Sequence, residues 1–216
     1  MSTILSNRVQ KVKPSATMAV SDKAKELKSQ GIQIVSMGSG EPDFDTPTNI
    51  QKAAIKAIGN GETRYTAADG TPELKKAICE KFKRENGLDY SLNEVMVSCG
   101  GKQVFYNLCQ AILNTGDEVI IPSPYWVSYP DMAILADATP VFIETGIDQD
   151  FKISPEQLEA SITDNTKLLV LNSPSNPTGS VYSKSEIEAL GSVLEKYPHV
   201  LTISDDIYEH IRWGDD

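Results

Sequence analysis

Short apolar runs alternate with amphipathic stretches along most of the chain, and this alternation limits the possible folds more than any other feature. The runs are brief and rich in Val, Ile and Leu, as strands buried on both faces of a parallel sheet are. They lie at residues 95–99, 118–121, 140–143, 167–171 and 200–204. The pattern predicts an α/β fold with a mainly parallel central sheet covered by helices.

Three helices between these runs carry clear start signals, at Thr71, Ser154 and Ser183. The first start is followed by Pro and its helix is expected to end at Gly87, whereas the other two starts have capping-box spacing. A polar stretch containing Gly and Pro gives way to regular alternation near residue 47. We therefore expect an N-terminal arm and small-domain segment over 1–47 and a large domain over 48–216.

Composition excludes several classes of partner. The chain has 20 basic and 30 acidic residues, and its net charge of -10 opposes binding to nucleic acid or to an anionic membrane surface. No apolar run is long enough to span a bilayer, and the N-terminus has no secretory apolar region. The three cysteines form no CxxC pair, which favours reduced thiols. A cytoplasmic location is expected.

Four loops that follow predicted strands carry the residues suited to chemistry, and an open α/β sheet binds its ligands at that edge. In the first loop, Gly100 and Gly101 precede an apolar helix over residues 104–113. Backbone N–H groups can approach an anion there, and the helix dipole favours a phosphate. The loop is not a Walker loop, since Gln103 stands where Ser or Thr would meet magnesium. A tight turn without a ligand explains this loop equally well.

The second and third loops differ from plain connections. Residues 123–129 place three aromatic side chains directly after a strand, which suits either a planar ligand or an ordinary aromatic core. Residues 172–179 contain two prolines, two asparagines and a glycine. The prolines fix the backbone and can adopt cis bonds, while the asparagine amides offer donors to a ligand oxygen. We interpret the third loop as functional.

The fourth loop begins with Asp205 at the end of an apolar strand, where an unpaired carboxylate would be costly. We therefore expect a cationic group to face Asp205. A metal held by Asp205, Asp206 and His210 is a weaker alternative, because further ligands are not evident nearby. No metal site is predicted.

Taken together, seven motifs resemble, in order and spacing, those of class I aminotransferases, which depend on pyridoxal 5'-phosphate (PLP). The motifs lie at residues 13–17, 40–44, 64–65, 100–103, 124–129, 176–179 and 204–208. Two of them, at 13–17 and 64–65, point to the bacterial-type aspartate aminotransferase branch. The resemblance covers essentially the whole chain. It implies the PLP-binding large domain of a fold-type I transferase, truncated here, with the N-terminal part of the small domain.

The resemblance implies roles in cofactor binding. The backbone of Gly100, Gly101 and Lys102 would hold the PLP phosphate, and Trp126 would stack on the pyridine ring. Such an arrangement explains why glycines and aromatic residues follow the predicted strands.

The same resemblance places polar groups around the ring. Asn176 and Tyr208 would donate hydrogen bonds to the phenolic oxygen of PLP, and Asp205 would pair with the protonated pyridine nitrogen, which is the cationic group expected above. Tyr65 would reach the phosphate of a neighbouring subunit, which implies a homodimer.

Amino-acid and 2-oxo-acid substrates are the partners that the resemblance implies. The expected substrate-binding residues are Gly40, Ser15, Thr17, Lys102, Trp126 and Asn176. Gly40 would meet the α-carboxylate through its backbone, while Ser15, Thr17 and Lys102 would recognise the distal carboxylate of a dicarboxylic substrate.

The full-length enzyme is expected to transfer an amino group from aspartate, or a similar amino acid, to 2-oxoglutarate. In the family, the Schiff-base lysine lies C-terminal to these motifs, so no catalytic residue is predicted and the chain alone is expected to be inactive. Alternatives are a specificity for prephenate, aromatic substrates or alanine, or a non-catalytic remnant of the PLP fold. A transcription regulator is disfavoured, because no basic DNA-binding segment precedes the motifs.

Overall fold

A computed structural model of the protein describes residues 4–213 except residues 36, 39 and 41. The chain forms two compact units. The sheet unit comprises Met1–Lys13 and Cys99–Asp216, and the helical unit comprises Pro14–Ser98. The boundary predicted near residue 47 falls inside the helical unit and stays a prediction.

The sheet unit is built on four parallel strands in the order β2-β1-β3-β4. The strands are β1 (Glu118–Ser123), β2 (Thr139–Glu144), β3 (Thr166–Asn172) and β4 (Leu201–Asp205). Because all four run in the same direction, their carboxyl ends meet at one edge of the sheet. The predicted α/β class with a parallel sheet is confirmed, as are four of the five predicted strands.

Eight α-helices are present in the described residues. They are α1 (Asn7–Lys11), α2 (Ala16–Ser29), α3 (Thr48–Gly59), α4 (Pro72–Lys81), α5 (Gly101–Ile112), α6 (Ser128–Leu135), α7 (Pro155–Ser161) and α8 (Lys184–Leu194). The predicted starts are correct, since Thr71 caps α4, and Ser154 and Ser183 form capping boxes at α7 and α8. None of the helices described has the length and apolar character needed to cross a bilayer.

The core of the sheet unit lies on both faces of the sheet. Val119 and Ile121 pack with side chains of α5 and α6, whereas Ile120 packs with side chains of α7 and α8. All three are fully buried. This division follows from the pleat, which points successive side chains to opposite faces, and it explains why the central strands β1 and β3 read as continuous apolar runs.

The fifth predicted strand, at residues 95–99, is wrong. These residues have no regular structure, and the Val97 backbone nitrogen donates to the Asp69 carbonyl oxygen at 3.0 Å. The close approach requires Gly70, because a β carbon there would lie 2.7 Å from Val97 Cγ2. The apolar run therefore contributes to a local contact in the helical unit and not to the sheet.

Candidate cofactor site

A cavity of about 300 Å³ lies at the carboxyl edge of the sheet, within the range of small-ligand sites. Its lining comes from the start of α5, the loop after β1 with the first turn of α6, and the ends of β3 and β4 with the residues that follow them. The lining residues are Gly100, Gly101, Lys102, Trp126, Tyr129, Asn172, Asn176, Asp205, Ile207 and Tyr208. Seven of the eight predicted cofactor residues thus line a single cavity, and Tyr65 is the exception.

The N-terminus of α5 forms one end of the cavity. Gly100 is the N-cap with a φ of 83°, and no side chain caps this helix. The Gln103 side chain instead accepts a hydrogen bond from the Cys99 backbone nitrogen at 2.8 Å. A β carbon built on Gly100 or Gly101 would have no heavy atom within 4 Å, so open space lies beside the backbone donors. An anion is the ligand that such a helix end favours.

Asp205 ends β4 and is partly buried. Its Oδ2 accepts a hydrogen bond from the Tyr129 hydroxyl at 2.6 Å, and its Oδ1 accepts one from the Ile207 backbone nitrogen at 3.3 Å. Both donors are neutral, and each carboxylate oxygen retains a lone pair. The negative charge at this point of the cavity is thus available to a cationic ligand.

Asn172 connects two of the predicted cofactor residues. It ends β3 in register with Asp205, and its Nδ2 donates to the Asp205 carbonyl oxygen at 2.8 Å. Its Oδ1 accepts a hydrogen bond from the Asn176 backbone nitrogen, also at 2.8 Å. Asn176 Nδ2 in turn donates to the Tyr208 hydroxyl at 3.4 Å. Both Xaa-Pro bonds of residues 172–179 are cis, a conformation the sequence allowed.

An aromatic cluster forms another side of the cavity. Trp126 is partly buried and meets Tyr129 edge to face, with ring centroids 5.2 Å apart. The Lys102 ammonium lies 5.1 Å from the Trp126 ring centroid, a cation–π distance. Tyr129 lies in the first turn of α6, packs against Phe105 and is 2% exposed. Burial raises the pKa of Tyr129, and its hydrogen bond to Asp205 raises that pKa further.

The remaining predicted site residues belong to the helical unit. The Ser15 hydroxyl accepts a hydrogen bond from the Met18 backbone nitrogen at 3.4 Å and caps α2. Gly40 lies in an irregular segment, and the Tyr65 side chain is fully exposed. The side chain of Thr17 lies outside the described part of the chain. The roles of these four residues stay predictions.

Sequence reasoning missed two functional candidates, Tyr129 and Asn172. In the sequence, Tyr129 is one of three aromatic residues in its loop and Asn172 is part of a proline-rich loop, and neither position alone indicates a specific role. For Tyr129, the available signal is a tyrosine at the start of a helical stretch that ends in the apolar residues 132–135, because a buried hydroxyl needs a hydrogen-bond partner.

The cavity combines several recognition features. It has a helix end suited to an anion, an aromatic face, a carboxylate held by two neutral donors, and an amide beside a hydroxyl. A phosphorylated aromatic ring that carries a positive charge and an oxygen substituent would satisfy all four.

Comparison with known proteins points to one family. Residues 32–216 match the family described as aminotransferase class I and II. The aspartate/prephenate aminotransferase of Nitrosomonas europaea is 59% identical over 212 residues, which cover 98% of this chain and 53% of that protein. Its counterpart in Cereibacter sphaeroides is 57% identical over 211 residues, with the same coverage of 98% and 53%.

Solved structures agree with this result. The aspartate aminotransferase of Rhizobium meliloti superposes with a TM-score of 0.96 at 46% identity, and the match covers 100% of this chain and 54% of that one. The aspartate aminotransferase of Thermus thermophilus with maleate gives a TM-score of 0.95 at 48% identity, covering 100% and 56%. The chain therefore spans about half the length of the relatives it matches.

Proposed function

We propose that this chain, which belongs to the aminotransferase class I and II family, forms the PLP-binding part of an enzyme that transfers amino groups between aspartate and 2-oxo acids. Enzymes of this family depend on PLP. One observation carries the proposal: Asp205 ends a strand at the cavity, and the donors that its carboxylate meets among the described residues are both neutral. A carboxylate so placed suits the protonated nitrogen of a pyridine ring.

Each remaining feature of the cavity has a part in this proposal. When bound, PLP draws electrons from the substrate Cα through its protonated ring. The N–H groups at the start of α5 bind its phosphate, and Trp126 provides a face for the ring. Asn176 and Tyr208 hydrogen-bond the ring oxygen, and Asp205 holds the proton on the ring nitrogen by its charge.

For the substrates, we propose aspartate as amino donor, with 2-oxoglutarate and prephenate as acceptors. The relatives named aspartate/prephenate aminotransferase support both the donor and the second acceptor. The Lys102 ammonium beside Trp126 supports a site for a distal carboxylate. From the family resemblance we propose that Ser15 and Thr17 also recognise that carboxylate. The Gly40 backbone is proposed to meet the α-carboxylate. Comparing initial rates with aspartate, alanine and phenylalanine as donors for each acceptor tests this specificity.

We also propose that the working enzyme is a cytoplasmic homodimer. The exposed Tyr65 side chain supports a contact with the phosphate site of a second subunit. The free thiols of Cys79, Cys99 and Cys109 support a reducing compartment. If the dimer proposal is correct, Tyr65→Phe will weaken PLP binding without changing the sedimentation coefficient, because the lost hydroxyl acts on the cofactor and not on subunit contact.

The 216 residues alone are proposed to bind PLP without catalysing transfer. Lys102 is the one lysine among the described residues that line the cavity, and it adjoins the backbone donors assigned to the phosphate. The amine that reacts with the PLP aldehyde is therefore proposed to come from outside these residues. A transamination assay of this chain, with PLP, aspartate and 2-oxoglutarate, should give no turnover, and measurable turnover would contradict the proposal.

The experiment for the cofactor site uses two adjacent acidic residues. Asp205→Asn keeps the shape of the side chain but removes its charge, whereas Asp206→Asn makes the same change at an exposed carboxylate bonded to the Ser204 hydroxyl at 2.7 Å. Equilibrium dialysis with PLP should show a loss of affinity of about thirtyfold or more for Asp205→Asn. Asp206→Asn should bind as the wild type does. Equal affinity of both variants would remove the basis of the proposal.

A further inference from the structure

We propose that Tyr129 is a positioning residue that holds the Asp205 carboxylate in the orientation needed to receive a cationic ring nitrogen. This inference rests on the PLP site proposed above and adds a residue whose own contact is with Asp205 and not with the reacting atoms.

The two hydrogen bonds to Asp205 are unequal in geometry. The Tyr129 hydroxyl lies 2.6 Å from Oδ2, within the short range of charge-assisted O–H···O bonds. The Ile207 backbone nitrogen lies 3.3 Å from Oδ1, at the long end of N–H···O bonds. The tyrosine therefore supplies the stronger restraint on rotation of the carboxylate about its terminal bond.

Tyr129 is itself held firmly. Its ring is 2% exposed and lies 5.0 Å from the Phe105 ring and 5.2 Å from the Trp126 ring, measured between centroids. Its backbone nitrogen donates to the Trp126 carbonyl oxygen at 3.1 Å. One side chain thus touches both the candidate stacking residue and the candidate partner of the ring nitrogen, and it fixes the position of one relative to the other.

The direction of the hydrogen bond is also fixed. Burial raises the pKa of Tyr129, so its hydroxyl stays protonated and acts as a donor at any pH near neutrality. An ionised carboxylate can only accept. The donor is neutral, so the bond orients Asp205 without cancelling the charge that attracts the cation.

A double-mutant cycle on the protein as it is encoded tests the inference. PLP affinity is measured by equilibrium dialysis for the wild type, Tyr129→Phe, Asp205→Asn and the double variant. Tyr129→Phe should lower the affinity by about ten- to a hundredfold, the range for a hydrogen bond to a charged group. In the Asp205→Asn background the same change should have at most about a threefold effect, because the carboxylate on which the hydroxyl acts is absent.

Tyr182→Phe is the matched control. Its side chain is partly buried, and its hydroxyl accepts a hydrogen bond from the Ile153 backbone nitrogen at 2.9 Å, away from Asp205. This variant should unfold at lower urea concentration but bind PLP as the wild type does. The pH dependence of the visible band of bound PLP gives a second readout, which should shift in Tyr129→Phe and stay unchanged in Tyr182→Phe.

The possible outcomes separate this inference from the proposed function. Failure of the wild type to bind PLP overturns both. Binding that is weakened by Asp205→Asn but not by Tyr129→Phe overturns the role of Tyr129 alone, as do equal effects of Tyr129→Phe in the two backgrounds.

If Tyr129→Phe does not fold, 4-aminophenylalanine at position 129 decides, because it retains a para donor. Affinity within about threefold of the wild type then supports the inference, and a loss as large as that of Asp205→Asn overturns it.

Discussion

The substitution Asn172→Asp should destabilise the sheet unit, although it only replaces the side-chain NH2 group by an oxygen atom and adds a negative charge. The Asn172 amide uses both of its ends, donating to the Asp205 carbonyl oxygen and accepting from the Asn176 backbone nitrogen. The introduced carboxylate can still accept from Asn176. It cannot donate, so two oxygen atoms face each other at the 2.8 Å now spanned by a hydrogen bond.

The size of the effect follows from these contacts. Loss of one hydrogen bond costs about 1 kcal/mol, and the unsatisfied carbonyl adds about 1–3 kcal/mol. The free energy of unfolding should therefore fall by about 2–4 kcal/mol at pH 7. Burial and the facing carbonyl raise the pKa of the introduced carboxyl in the folded state above its unfolded value of about 3.9. Relative to the wild type, the variant should therefore regain stability as the pH falls through that raised pKa, because the protonated carboxyl can donate again.

Urea unfolding followed by circular dichroism measures this difference at pH 7 and at pH 4.5. Asn165→Asp is the control, since it adds the same charge at an exposed turn position. It should change the unfolding free energy by no more than about 0.5 kcal/mol. The reasoning fails if Asn172→Asp is as mild as the control, or if its deficit does not shrink at the lower pH.

Two further predictions concern backbone conformation and acid stability. Gly100→Ala places a β carbon at a φ of 83°, so it should lower the unfolding free energy by about 1–3 kcal/mol and weaken PLP binding. The control Gly191→Ala, inside α8, should instead raise the unfolding free energy slightly. Destabilisation by both substitutions would contradict the account. In the helical unit, the hydrogen bond from buried Lys75 holds the pKa of Asp69 below its usual value. That contribution is present above the unfolded pKa and is lost as pH falls through the folded one, so Lys75→Met should flatten the decline in unfolding free energy between about pH 5 and pH 2. An unchanged slope would show that the pair has no such role.

Burial pattern explains how much of the fold was predictable. The central strands β1 and β3 are buried on both faces and leave continuous apolar runs in the sequence. Four of the five predicted runs form the sheet. The run at residues 95–99 is less apolar, since it ends in Ser98 and Cys99, and it has no neighbouring strand among the described residues. Val95 is buried there, but Met96 is 67% exposed. An apolar run predicts burial but does not report how much of the segment is shielded from water, or by what, so this strand could not be rejected from sequence alone.

The site was predictable where it depends on backbone and loop position. Asp205 ends a strand and Gly100 caps the start of a helix, and those positions can be read along the chain. Tyr129 and Asn172 differ, because their roles depend on contacts between segments that are 76 and 33 residues apart. Those contacts require the register of β3 against β4 and the placement of α6, which local sequence does not encode.

The central claim, that this cavity binds PLP against Trp126 and Asp205, is tested most directly by the fluorescence of Trp126. The chain has two tryptophans, and replacing the exposed Trp213 by Phe leaves Trp126 as the only reporter. Titration with PLP should then quench the emission saturably, and Asp205→Asn in the same background should shift the titration to higher PLP concentration. Quenching that never saturates and equals that of free tryptophan, or a titration unchanged by Asp205→Asn, would contradict the claim.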